Sequence, residues 1–159
     1  MFAYCFINPI NNSQYWALYK WNDIMTEYNE SELKNIEIVK SLYTDVFDTG
    51  NCPVVNSYYH EGAKCHLKGK TLHIEQMKGG MGEFVAKHAS ISTSIESIFA
   101  AGDRTYARLN RQATLKGEEQ ARDIEIMVEK RFVDGKVAEL WFMVDDEMYS
   151  EIWLKQPSA

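Results

Sequence analysis

The 159-residue sequence predicts an α+β domain, and three observations carry that prediction. Apolar residues recur at helical spacing between Asn29 and Phe47. After His88 the period falls toward two and β-branched residues gather. Asp134-Gly135 then separates two apolar runs, the two-residue signal of a β-hairpin. Helices first and an antiparallel meander afterwards argue against a parallel, doubly wound sheet.

Residues 1–28 read as an extension to a single domain spanning residues 29–159. The extension carries Tyr4, Phe6, Tyr15, Trp16, Tyr19 and Trp21, aromatics that need cover from the domain or from a neighbouring subunit. Asn29 and Glu32 have the spacing of a capping box. Behind them Leu33, Ile36, Val39, Leu42, Tyr43, Val46 and Phe47 form one apolar stripe, with Gly50 as its stop and Pro53 beyond. A short second helix is predicted over residues 54–59, a strand over 63–67 and a turn at Lys68-Gly69-Lys70.

The next predicted helix covers residues 72–87, with Ile74, Met77, Met81, Phe84 and Val85 inward. Gly79, Gly80 and Gly82 weaken it by up to about 1 kcal/mol each relative to Ala. Their small size suits close packing of this helix on the sheet. No G-x-G-x-x-G follows a strand and no Gly-Lys-Ser/Thr occurs, so this is not a phosphate loop. Strands follow over residues 91–97, 105–115, 121–133 and 136–145, and a short amphipathic tail carries Met148, Tyr149, Ile152 and Trp153.

The composition is that of a globular domain: 45% apolar, 13% aromatic and only 3 Pro, which excludes disorder and low-complexity structure. Lys and Arg number 17 against 23 for Asp and Glu, a net charge of −6, and no basic run exceeds two residues. That balance argues against a nucleic-acid partner. Cys5, Cys52 and Cys65 form no C-x-x-C motif and read as reduced thiols of a cytoplasmic protein. The opening MFAYCFINPI lacks a basic start, and its apolar run ends at Ile7. Neither a signal peptide nor a membrane span is expected.

If Asp134 and Gly135 form the hairpin loop, Val128 faces Trp141, Ile126 faces Met143 and Ile124 faces Asp145. One face then carries Ile124, Ile126, Val128, Trp141, Met143 and Asp145, a core or pocket wall. The other carries Glu125, Met127, Glu129, Arg131, Leu140, Phe142 and Val144. That outer face suits a subunit interface, and a homodimer through it is expected.

Four segments resemble the SnoaL-like polyketide cyclase branch of the nuclear-transport-factor-2-like superfamily. They are NIEIVKSLYTDVF, YYHEGAKCHLKGKTLH, SIESIFAAGDRTYARL and EKRFVDGKVAELWFMVDD, and the likeness runs over about residues 33–155. The resemblance implies a cone-shaped, curved antiparallel sheet wrapped around a long N-terminal helix, with an apolar pocket inside. The family holds cyclases, isomerases, dehydratases, hydrolases and non-catalytic binding modules, so fold leaves function open. Many relatives have a longer loop between the middle strands where this chain has the short QATLKGEEQA.

For the resembled cyclases an acidic residue transfers protons for an aldol closure without metal or organic cofactor. Asp145 is the candidate here by strand parity, with Asp146 as its alternative, because a carboxyl beside apolar surface is raised toward neutrality. The competing role for Asp145 is a cap on the terminal helix. His66 matches the family's pocket histidine and is the second catalytic candidate. Trp141, Met143, Ile124, Ile126, Tyr106, Arg108 and Tyr43 complete the expected substrate pocket, with Tyr106 and Arg108 as donors to an enolate oxygen. His60, Cys65, His66 and His73 match no zinc spacing, and Cys65 and His66 point to opposite faces, so no metal is expected. The expected ligand is a small apolar carbonyl compound. The alternative is a non-catalytic dimeric module that binds a ligand or a protein.

Overall fold

The computed structural model describes residues 27–157. The expected extension over residues 1–28 lies outside the described residues, apart from Glu27 and Tyr28. Helix α1 (Glu30–Leu42) starts at the predicted capping box, where Asn29 Oδ1 accepts from Glu32 N at 3.0 Å and Glu32 Oε2 accepts from Asn29 N at 2.9 Å. A wider π-helical turn, Tyr43–Phe47, extends it. A short α2 (Val55–Tyr58) leads into β1 (Tyr59–Leu67) and β2 (Lys70–His73). Then come α3 (Ile74–Lys87), β3 (His88–Ala101), β4 (Arg104–Leu115), β5 (Arg122–Val133), β6 (Lys136–Val144) and α4 (Glu147–Leu154).

Strand β2 stands where the sequence predicts the start of a helix. Lys68 and Gly69 both take positive φ, 46° and 74°, which is the backbone of a two-residue hairpin turn. Thr71 and Leu72 therefore pair back onto His66 and Cys65 before α3 begins. Asp134 and Gly135 repeat the device between β5 and β6, with φ of 49° and 72°.

The six strands form one curved, open sheet in the order β2-β1-β6-β5-β4-β3. Strands β3 to β6 are the expected antiparallel meander, while β1 joins β6 in parallel. Helix α1 packs on β3 and β4, and α3 packs on β1 and α4. The core lies between these helices and the inner face of the sheet. Gly80 permits the contact between α3 and α4, since a Cβ there would stand 2.9 Å from the Trp153 ring. The close approach thus serves helix against helix rather than helix against sheet, and Gly82 has nothing near it.

The predicted register of the last hairpin needs correction. Val133 faces Lys136 and Phe132 faces Val137, but Arg131 then faces Glu139, so Ala138 is the extra residue of a bulge. Beyond it the parity of β6 reverses. Val128 faces Phe142 rather than Trp141, and Met127 rather than Ile126 faces Met143. Leu140 and Phe142 consequently join Ile124, Ile126 and Val128 in the core, while Met143 is 67% exposed on the outer face beside Trp141. One added residue turns every later side chain to the other side of the sheet.

Candidate functional site

Alternation on β4 and β5 sends two cations inward. Arg111 shares its face with Leu109 and Ala113, and Lys130 shares its face with Val128 and Phe132; they are 0% and 1% exposed. Lys130 Nζ donates to the Tyr43 hydroxyl at 2.8 Å. Arg111 Nη1 donates to the Tyr149 hydroxyl at 2.8 Å and its Nε donates to Thr93 Oγ1 at 3.0 Å. Thr93 in turn donates to the Asp48 carboxylate from both its backbone N–H and its hydroxyl. The guanidinium also lies 4.5 Å from the centre of the Phe47 ring. Among the described residues the buried set holds these two cations and no carboxylate.

Burial sets the protonation of this cluster. Loss of water pushes the Lys130 amine from 10.5 down to about 7, and the Arg111 charge adds to the effect while Cys65 opposes it. Burial also pushes the phenols of Tyr43, Tyr59 and Tyr149 above their ordinary value, and raises the Cys65 thiol to about 12. Lys130, Tyr43, Tyr59, Cys65, Met77 and Trp153 border a void of about 10 Å³, enough for one water. An amine that exchanges its proton near neutrality, bonded to a phenol in a dry site, has the properties of an acid/base couple.

The expected site residues fall into three places. Tyr43 belongs to the interior cluster. Ile124 and Ile126 are fully buried in the core. Trp141, Met143, Tyr106 and Arg108 stand on the opposite, outer face, where with Phe99 and Met127 they line an apolar groove of about 340 Å³. The pocket wall expected from Ile124, Ile126, Trp141 and Met143 together is therefore divided between the two sides of the sheet. His66 is also on the outer face, stacked on Trp141 with ring centres 5.1 Å apart. Its Nε2 meets Glu139 Oε1 at 2.8 Å and its Nδ1 meets Thr71 Oγ1 at 3.2 Å. The His66 hydrogen bond, with help from Arg131, holds the Glu139 carboxyl below its ordinary value.

Asp145 is exposed at the end of β6, and its Oδ1 accepts from Glu125 N at 3.0 Å. The helix cap is Asp146, whose Oδ1 accepts from Tyr149 N at 2.7 Å. Asp145 lines a recess with Glu96, Arg108 and Glu125, His66 lies against Trp141 and Glu139, and Lys130 and Tyr43 border the interior void. Cys65 faces inward and His66 outward, as alternation requires, and no group of three His, Cys, Asp or Glu among the described residues is placed to hold a metal.

Sequence reasoning missed Arg111 and Lys130. The signal was present: Lys130 has the parity of Ile124, Ile126 and Val128, and Arg111 that of Leu109. A cation at a core-facing position is the informative exception, because Lys and Arg are almost never fully buried without a role or a partner.

The pattern of the SnoaL-like polyketide cyclase family matches residues 37–149. No relative is found among curated proteins. Solved structures share the fold. A putative SnoaL-like polyketide cyclase from Jannaschia sp. CCS1 is 16% identical, with 83% of this chain and 99% of that one covered at a TM-score of 0.68. AclR, a putative hydroxylase from Streptomyces galilaeus, is 19% identical over 79% and 99% of the two chains, at 0.67. An epoxide hydrolase of the LEH-like type from M. tuberculosis is 9% identical over 79% and 92%, at 0.60. No helix among the described residues is long and apolar enough to cross a membrane. With the family pattern spanning most of the chain and the open six-stranded sheet in place, this protein belongs to the SnoaL-like polyketide cyclase family.

Proposed function

We propose that the chain is a homodimeric small-molecule protein that carries out proton transfer on an apolar carbonyl compound inside its curved sheet, without metal or organic cofactor. Lys130 is the base and Tyr43 its proton-carrying neighbour. The observation that carries this reading is the fully buried Lys130–Tyr43 pair, 2.8 Å apart at the wall of the interior void. An amine pushed by burial to about 7 is half unprotonated near neutrality, the best compromise between availability and basic strength. Its lone pair takes a proton from the carbon beside the carbonyl, and the C–H electrons move onto the carbonyl oxygen. The ammonium then returns the proton to another atom, or the enolate carbon attacks a second carbonyl of the same molecule. Admission of the substrate displaces the Trp153 ring, which closes the void against Phe47, Phe142 and Gly80. In this scheme Asp145, open to solvent, and His66, already engaged by Glu139 and Thr71, take no part in the transfer.

The dimer forms through the outer sheet face. Phe99, Met127 and Met143 are each more than half exposed there, and the pairs Arg104–Glu129, Arg108–Glu125 and Arg131–Glu139 surround them. An apolar centre with a rim of both signs suits a second copy of the same face across a twofold axis. Free thiols at Cys52 and Cys65 suit a reducing, cytoplasmic setting.

The competing reading, a dimeric binding module without turnover, is favoured by the small size of the interior void. Exchange of the α-protons of benzylacetone in deuterium oxide, followed by proton NMR, separates the two. Wild-type protein is expected to accelerate exchange over buffer, and Lys130→Met to remove roughly a hundredfold or more of that acceleration. Exchange no faster than buffer, or undiminished in Lys130→Met, overturns the acid/base reading and leaves the binding module.

A further inference from the structure

The interior cluster has more hydrogen-bond donors than acceptors. Arg111 carries five N–H bonds; its Nε and Nη1 are engaged by Thr93 and Tyr149, but its Nη2 has no partner among the described residues. Lys130, a three-donor group when charged, has a single partner among the described residues, the Tyr43 hydroxyl. Trp153 borders the same void, and its buried indole Nε1, which can only donate, lies beside the Tyr149 hydroxyl but completes no hydrogen bond among the described residues. Trp153 and Arg111 both adjoin Tyr149, the first by ring stacking at 5.8 Å and the second by the hydrogen bond to its hydroxyl.

The charges are unbalanced in the same direction. Asp48 reaches Arg111 only through Thr93, and no carboxylate among the described residues is buried with Arg111 and Lys130. Tyr43, Tyr59, Tyr149 and Cys65, the other ionisable groups packed around them, are all held in their neutral, protonated forms by burial. None of them supplies the missing negative charge. Buried donors are ordinarily paired, and each unpaired one calls for an acceptor that the described residues do not provide.

We propose that the compound taken up inside the sheet carries a carboxylate, received by the buried N–H donors of Arg111 and Trp153. A carboxylate supplies two acceptor oxygens in one plane, the arrangement that a guanidinium fork and a second donor engage together. Met77, an unbranched side chain that can repack in another rotamer, borders the void and yields the space. The proposal rests on the reading that the interior is the ligand site, and it narrows that reading to carbonyl compounds that also bear an acid group.

Benzoate and benzamide have nearly the same shape and differ in charge, so calorimetric titration of the full chain with each isolates the acid group. Benzoate is expected to bind about tenfold or more tighter than benzamide, the scale of a charge-assisted hydrogen bond. Trp153→Phe keeps an aromatic ring and removes the donor, and is expected to shrink that preference several-fold in a chain that still unfolds in one cooperative urea transition. Arg111→Met is expected to abolish it. If benzamide binds as tightly as benzoate, or the preference survives in both variants, the carboxylate is refuted while the interior ligand site stands. If chloride at the same concentration displaces benzoate fully, the site takes any small anion and the carboxylate is again refuted. If neither compound binds, or either binds with a shifted Trp141 indole signal and an unmoved Trp153 signal, the interior site itself falls.

Discussion

Lys130 Nζ and the Tyr43 hydroxyl are joined at 2.8 Å where neither side chain meets solvent. The amine is shifted from 10.5 to about 7, so between those values the unfolded chain holds a proton on Lys130 that the folded chain does not. Stability therefore rises with pH across that window, by at most about 1.4 kcal/mol per pH unit, and the full penalty is present below its lower end. Above about pH 10 the sign reverses, because Tyr43 and Tyr59 stay protonated only in the folded chain. Lys130→Met is expected to flatten the rise and to stabilise the protein near neutrality by about 1–4 kcal/mol. Urea midpoints of both proteins at about pH 7 and about pH 9 check it. Equal slopes in the two would show that Lys130 keeps its charge in the fold.

On the outer face, Met127 and Met143 are cross-strand partners, 52% and 67% exposed. A lysine at either position is expected to change the stability of the single chain by no more than about 0.5 kcal/mol. At the centre of a dimer interface the same charge is buried without a counter-ion, and association fails. Light scattering after size exclusion is expected to give twice the chain mass for wild type and the chain mass for Met143→Lys. A wild-type monomer, or a variant that stays dimeric, removes this face as the interface.

Asp145 and Asp146 are neighbours with different duties. Asp146→Ala deletes the acceptor for Tyr149 N and is expected to cost about 0.5–2 kcal/mol, measured as a lower urea midpoint. Because α4 also carries Trp153, the same change loosens the wall of the interior void. Asp145→Asn keeps an oxygen for Glu125 N and is expected to shift stability by less than about 0.5 kcal/mol. Benzylacetone exchange is expected to be unaffected; a large loss would return the proton transfer to Asp145.

Much of the fold was legible because its signals are local. The capping box at Asn29, the stripe behind it and the Asp134-Gly135 turn depend on residues within a few positions of one another. Lys68-Gly69 carries the same kind of turn, although Leu72 and His73, the second half of the strand Lys70–His73, fall where helical spacing predicts the start of a helix. The bulge at Ala138 left no such mark. Leu140, Trp141, Phe142 and Met143 are all apolar, so no polar residue shows which parity of β6 faces the core.

Period and turn chemistry act over short spans, and they dictate the α+β class, the meander and the inward parity of Ile124, Ile126 and Val128, while the motifs in their order carry the family. Which side of the sheet Trp141 and Met143 occupy was settled by packing of the whole domain. That packing alone set β1 beside β6 in parallel, and it brought Tyr43, Arg111, Lys130 and Tyr149 from four separate elements into one dry cluster. Those outcomes depend on packing between distant segments: Leu140 and Phe142 turn inward because the space beneath α3 and α4 is theirs to fill, and a single unpaired residue lets the strand comply.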